Sequence, residues 1–241
     1  MTIAYDGTGF AGWQSQPGRN GVQDHLEVAF QKILDRPVRV HGSGRTDAGV
    51  HALGQVAHVE VPKGKFPPKV WRLALNGNLS GEVRVLRCRR VSAEFHARFC
   101  ARGKVYRYRI WNTEVLHPLE VGRAWHVPQR LDTGHLTACA TLFCGKHDFA
   151  SFAANRGVPP ETTIRTIDKI KVRRNGAIVS LEFTGDGFLY RMVRMITGSL
   201  IQVGLGRKEE AWLRELLDSP GRQKTNHTAP AEGLYLVRVL Y

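Results

Sequence analysis

At 241 residues and 42% hydrophobic composition, the chain is long enough to bury a proper core as one large or two modest domains. Its 35 lysines and arginines outnumber 21 acids for a formal charge of +14, which points to a polyanionic partner, nucleic acid foremost, because each neutralised phosphate releases counterions. The four cysteines form no C-x-x-C pair and the ten histidines are scattered singly, so no zinc site is expected; without an apolar leader or an apolar run of spanning length, the sequence predicts a cytoplasmic protein with reduced thiols and no membrane association.

Taken in chain order, residues 2–5 read as a strand and 6–9 as a turn-rich loop leading to Trp13. Val22, Leu26, Ala29, Phe30, Ile33 and Leu34 recur at helical spacing and predict an amphipathic helix ended by Pro37. Strands are expected at 38–41 and 55–61, a second helix opens at Pro67-Pro68 and runs through Trp71, Leu73 and Leu75, and 82–90 reads as a fourth strand. The first half is therefore a β-α-β-β-α-β unit. The second half repeats that order with additions: strands at 104–111 and 122–127, a helix over 132–143, and strands at 165–173 and 177–184 around Asn175-Gly176, a type I′ hairpin signal. An apolar helix over 188–203, a shorter one over 209–218 and a closing strand over 234–241 complete it. The expected fold is α+β: two similar halves, 1–102 and 103–241, forming a largely antiparallel sheet with helices on one face and a central cleft.

The most informative stretch is Gly42-Ser43-Gly44-Arg45-Thr46-Asp47-Ala48-Gly49-Val50-His51, a loop between two predicted strands. Glycines let backbone crowd a ligand, and the neighbouring Arg45 favours the ionised form of Asp47, so this carboxylate suits a nucleophile or base. The plainer reading is a loop carboxylate that satisfies its own backbone amides. No helix follows the glycines directly and G-x-x-x-x-G-K-[ST] is absent, which argues against nucleotide phosphate binding. A hydrolase or phosphoryl-transfer enzyme would want a second acid, a histidine partner or a metal, and the loop supplies only His51.

From Arg84 to Arg109 nine basic residues face one acid, Glu94, with Phe95, Phe99, Tyr106 and Tyr108 interleaved. Cations among aromatic faces suit unstacked bases on a charged backbone, although alternating charges also mark the solvated face of an ordinary strand. Period two places Tyr106 and Tyr108 on one face of the 104–111 strand and Arg107 and Arg109 on the other, so the first face is aromatic and the second cationic. Arg191 and Arg194 interrupt the apolar 188–203 helix; each must reach solvent or meet a carboxylate such as Asp47.

The chain resembles the TruA family of tRNA pseudouridine synthases. The likeness runs through Tyr5-Asp6-Gly7-Thr8, Gly12-Trp13-Gln14, Gly44-Arg45-Thr46-Asp47-Ala48-Gly49-Val50-His51, Phe95-His96-Ala97-Arg98-Phe99, Lys104 with Tyr106 and Tyr108, His147-Asp148-Phe149, Met192-Val193-Arg194 and Glu232-Gly233-Leu234-Tyr235-Leu236, in order along nearly the whole chain. It departs from the family at Asn76-Gly77-Asn78-Leu79-Ser80, which lacks the proline often found after the leucine. The resemblance implies a catalytic cleft in which Asp47 attacks an everted uridine, Tyr106 stacks on the base and helps remove its C5 proton, and Arg194 ion-pairs with Asp47. It further implies that Leu234 packs on the other side of the base and that Arg45 enters the gap the base leaves. Expected with it are no cofactor or metal, a homodimer, and as substrate tRNA at uridines 38 to 40 of the anticodon stem-loop. The competing reading is a basic RNA-binding module without catalysis.

Overall fold

The computed structural model describes residues 1–155, 157 and 160–241. In chain order its elements are β1 (Thr2–Tyr5), α1 (Val22–Leu34), β2 (His41–Gly42), β3 (His51–His58), α2 (Pro68–Gly77), β4 (Val83–Arg87), β5 (Gly103–Trp111), β6 (Trp125–His126), α3 (Thr133–Thr141), β7 (Gly145–Asp148), β8 (Ile164–Asn175), β9 (Ile178–Gly185), α4 (Met192–Gly204), α5 (Glu210–Asp218) and β10 (Leu234–Leu240). The chain divides into two compact units, Met1–Arg102 with Tyr235–Tyr241, and Gly103–Leu234.

The first unit has the expected β-α-β-β-α-β order. Its sheet runs β4-β1-β3-β10, with β1 antiparallel to both β3 and β4 and β10 parallel to β3 through Tyr235↔His51 and Leu236↔Ala52. The helix α1 forms because its apolar positions recur at i, i+3 and i+4; Leu26, Ala29 and Phe30 are buried. It starts where the Asp24 carboxylate accepts the Gly21 N–H at 2.9 Å, and it ends at Asp35, which takes the left-handed conformation (φ 54°) two residues before Pro37. Pro68 supplies the first turn of α2, where its missing N–H costs nothing. Between helices and sheet lie Ile3, Leu26, Phe30, Leu75, Val83 and Val85, all buried, with Trp71 against Phe30 at 5.6 Å between ring centres.

In the second unit β5, β9, β8 and β7 form a continuous antiparallel ladder, and the short β6 adds in parallel to β5. The helix α3 packs on β8 and on α4. Phe143, Phe149 and Phe152 fill the interior with edge-to-face contacts, beside Leu181, Phe183, Ile196 and Leu200.

Three local expectations are corrected. The apolar helix begins at Met192 rather than 188, because Arg191 is left-handed (φ 60°) and stands outside it as the N-cap, its guanidinium over the Tyr190 ring at 5.1 Å. The β8–β9 hairpin pairs Asn175 with Ile178, so its central residues are Gly176 and Ala177; only Gly176 has positive φ (55°), the pattern of a type II′ rather than a type I′ turn. Nor is the second face of β5 bare cation: Arg107 pairs at 2.8 Å with Glu182, its cross-strand partner, and Arg109 pairs at 2.9 Å with Glu120. The four cysteines carry no disulfide. No helix among the described residues is long and apolar enough to cross a membrane.

Candidate active site

Between the end of β2 at Gly42 and the start of β3 at His51 runs the loop that carries Arg45 and Asp47. Its backbone is pinned at successive residues. Ser43 is fully buried; its N–H donates to Val56 at 2.8 Å and its hydroxyl to the Gln55 side-chain oxygen at 2.7 Å. The same Gln55 amide donates to the carbonyl of Gly44 at 3.0 Å. Two residues further on, the buried Thr46 hydroxyl shares a 2.8 Å hydrogen bond with the phenol of Tyr5, and its carbonyl accepts the Trp13 N–H at 3.1 Å. Burial pushes the Tyr5 hydroxyl up to about 12, opposed by its bonds to Thr46 and Gln55, so this strut stays neutral at physiological pH.

Asp47 then opens a tight turn. Its carbonyl accepts the Val50 N–H at 3.1 Å, and Gly49 occupies the third turn position with φ 76°, the demand of a type II turn. Gly12, itself at φ 96°, packs tightly onto the start of this turn. A β-carbon there would lie 2.5 Å from the Thr46 carbonyl oxygen and 3.0 Å from the Asp47 carbonyl carbon. The result is a half-buried Asp47 on a rigid backbone, between a buried Thr46 and an exposed Ala48, with Arg45 exposed two residues before it.

His51, the loop's other titratable side chain, is absorbed by the fold. It is buried, its Nδ1 accepts the Gly7 N–H at 3.0 Å with Asp6 Oδ1 3.2 Å away, and its ring stacks on Tyr235 at 4.6 Å and 18°. That nitrogen accepts a backbone N–H and the ring is buried in the sheet, so His51 serves to hold the loop's end in place.

In the second unit, β5 places Tyr106 and Tyr108 on one face, as the alternation predicted, but in unlike surroundings. Tyr106 is 8% exposed and meets Phe188 edge-on at 5.3 Å. Tyr108 is wholly buried, donates its hydroxyl to the Pro230 carbonyl at 2.7 Å and packs against Gly233. Burial holds the Tyr108 hydroxyl well above the usual phenol range despite the nearby charge of Arg194. That makes Tyr108 a packing residue.

Arg194 lies on the first turn of α4 and is half-buried; its Nε donates to the Ala229 carbonyl at 2.8 Å, while its own carbonyl accepts the Ala229 N–H at 3.1 Å. This two-way clasp fixes the guanidinium's stem and sets the 225–230 segment against α4, where Ser199 and Thr225 hydroxyls also bond at 2.8 Å. Leu234, buried, is the first residue of β10.

Of the nine basic residues between Arg84 and Arg109, three serve the fold. Arg84 donates to the Leu79, Ser80 and Val83 carbonyls, and Arg107 and Arg109 meet acids. Arg87, Arg89, Arg90, Arg98 and Arg102 are exposed, and beside them Phe99 is 75% exposed, with the Arg98 guanidinium 5.7 Å from its ring. Sequence reasoning missed Gln55 and Ala229 as supports of the site; Tyr5, Ser43 and Gly12 lay within the motifs Tyr5-Asp6-Gly7-Thr8, Gly42-Ser43-Gly44 and Gly12-Trp13-Gln14, but their contacts to the loop had no signal.

Comparisons with known proteins show the family. The family described as tRNA pseudouridine synthase matches residues 1–100 and 139–241. A tRNA pseudouridine synthase A of Bradyrhizobium sp. is 46% identical, with all of this chain and 98% of that protein covered. Those of Methylacidiphilum infernorum (44%, with 100% and 94% covered) and Acetivibrio thermocellus (41%, with 100% and 98% covered) are similar along the whole chain. The chain belongs to the tRNA pseudouridine synthase family. It is accordingly an isomerase that converts uridine to pseudouridine.

Proposed function

We propose that this chain isomerises uridines 38 to 40 in the anticodon stem-loop of tRNA, with Asp47 as the nucleophile, acting as a homodimer in the cytoplasm. The observation that carries the assignment to Asp47 is its setting. It is the one carboxylate of the G-R-T-D-x-G-V-H stretch, half-buried on a loop whose backbone is tied to Phe10, Trp13, Gln55 and Val56 and whose Thr46 hydroxyl is tied to Tyr5. Precise placement is what a nucleophile needs, since reacting atoms must be held in near-attack geometry before the bond forms.

The uridine is everted and attacked by Asp47, the bond between N1 and C1′ breaks, the base turns, C5 bonds to C1′, and the bond to Asp47 breaks to return its free carboxylate. The C5 proton then leaves and N1 gains one, so the product is an isomer of the substrate. No electron is transferred to a redox partner and no phosphate is cleaved. Tyr106 stacks on the base and assists removal of the C5 proton; Leu234 lies on the base's other side; Arg194 holds the Asp47 carboxylate; Arg45 fills the space left in the RNA. Eversion costs a few kcal/mol, which stacking and the inserted side chain offset. The exposed arginines from Arg87 to Arg102, together with Phe99, suit the phosphate backbone and an unstacked base of the tRNA.

Mapping pseudouridine in tRNA from cells with and without this protein tests the reading. Loss of the modification at positions 38 to 40 alone is the expected result. Its persistence there, with the purified protein binding tRNA but releasing no tritium from C5-labelled uridine, would leave a basic RNA-binding module instead.

A further inference from the structure

Three donor side chains of different chemistry converge in the second unit, outside anything the uridine chemistry uses. His135 and Cys139 stand four residues apart on α3 and so share one helix face, and Glu210 is the first residue of α5. The Cys139 sulfur is 3.7 Å from His135 Nε2 and 3.8 Å from Glu210 Oε2, and one ligand atom from each residue lies within 4.8 Å of the others. We propose that His135, Cys139 and Glu210 bind a divalent metal of the zinc type, with a water as fourth ligand, and that the ion clips α3 to α5.

The distances carry the argument. In a tetrahedral site with zinc about 2.3 Å from sulfur and about 2.0–2.1 Å from nitrogen or oxygen, the sulfur–nitrogen and sulfur–oxygen edges come to about 3.6 Å. The two sulfur edges here are already within about 0.2 Å of that value, and the edge between His135 and Glu210, within 4.8 Å, is the one that side-chain rotation must close. Orientation is supplied from behind. Arg214 takes Glu210 Oε1 through Nε at 3.1 Å and Nη2 at 2.6 Å, which leaves Oε2 directed at the sulfur. Outer partners of this kind aim a ligand and tune its basicity. At the other ligand, Asp132 caps α3 by accepting the His135 N–H at 2.9 Å and fixes the turn that carries the imidazole.

Access and selectivity follow from the surroundings. Cys139 is fully buried while His135 is exposed, so the sulfur is shielded and the imidazole side admits the ion and keeps the water. Thiolate and imidazole with one carboxylate favour zinc over magnesium or calcium, which prefer oxygen ligands. Two anionic ligands neutralise the ion's charge. The sequence hid the site because a lone His-x-x-x-Cys has its third ligand 71 residues beyond Cys139.

The test is cobalt(II) titration of chelator-treated full-length protein, followed by zinc(II) competition. One equivalent of cobalt should give the thiolate-to-cobalt charge-transfer band and the intense visible bands of four-coordinate cobalt, and one equivalent of zinc should abolish them. Cys139→Ser should remove the charge-transfer band, whereas Cys144→Ser, which alters the neighbouring thiol, should leave it intact. His135→Asn changes an exposed residue and keeps the fold; it should weaken cobalt binding about tenfold or more and remove the zinc-dependent rise in Tm. A wild-type protein with no charge-transfer band, or a band that survives Cys139→Ser, overturns the proposal.

Discussion

Replacing Gly12 with alanine should cripple turnover without touching any group that meets the RNA. Gly12 sits at φ 96°, and a non-glycine residue held in such a conformation costs about 1–3 kcal/mol. Its new β-carbon would also lie 2.5 Å from the Thr46 carbonyl oxygen, and the obstruction is backbone rather than the end of a flexible side chain. Ordinary contact begins near 3.4 Å, so the Thr46–Asp47 peptide must retreat by most of an ångström. A misplacement of about 1 Å at a reacting group costs about 10²-fold in rate, or about 2.7 kcal/mol in the barrier. Single-turnover tritium release from C5-labelled tRNA, with tRNA affinity measured alongside, should show kcat down about 10²-fold and Kd changed by no more than about threefold. Gly9→Ala is the control, because a β-carbon there meets nothing within 4 Å. A folded Gly12→Ala protein with wild-type turnover would refute the claim that this close approach positions Asp47.

Three further outcomes are expected. Tyr106→Phe keeps the ring against Phe188 and should leave tRNA affinity unchanged while slowing tritium release about tenfold or more, measured under single turnover; equal rates would reduce the residue's role to stacking. Arg194→Ala should lower kcat far more than tRNA affinity, since its stem is clasped by Ala229 rather than displayed to solvent; parallel losses in both, in a binding and turnover series, would mark it as a phosphate contact. Tyr5 titrates at about 12 when folded against about 10 unfolded, so its contribution is fully present below pH 10 and is lost as pH rises toward 12. Chemical denaturation across that window should show a fall of roughly 2–3 kcal/mol that shrinks in Tyr5→Phe, and an unchanged slope in the variant would contradict the assignment.

The readable parts of the fold were those in which local pattern and tertiary packing agree. The helix α1 has an unbroken apolar stripe, β5 alternates Val105, Arg107 and Arg109 with Tyr106 and Tyr108, and both survive intact in the structure. What escaped the sequence was set at a distance. Gly145-Lys146-His147-Asp148 has no apolar alternation and becomes a strand only because β8 offers its edge. The cationic face expected of β5 is neutralised by Glu182, 75 residues from Arg107. Arg191 was read as helical because its neighbours are apolar, yet its left-handed backbone starts the helix one residue later.

The candidate site divides in the same way. Asp47 was legible because glycines and a cation crowd around it within ten residues. Its supports were not, since Tyr5, Gln55 and Trp13 reach the loop from three separate segments. His51, singled out as the loop's only possible partner for the acid, proves to be a core residue stacked on Tyr235.

The claim at the centre is that one carboxylate performs the covalent step, and Asp47→Asn measures it with least interference because the two side chains have nearly the same shape. The variant should bind tRNA within about tenfold of wild type and release no tritium from C5-labelled uridine. Tritium release at a rate near wild type would contradict it.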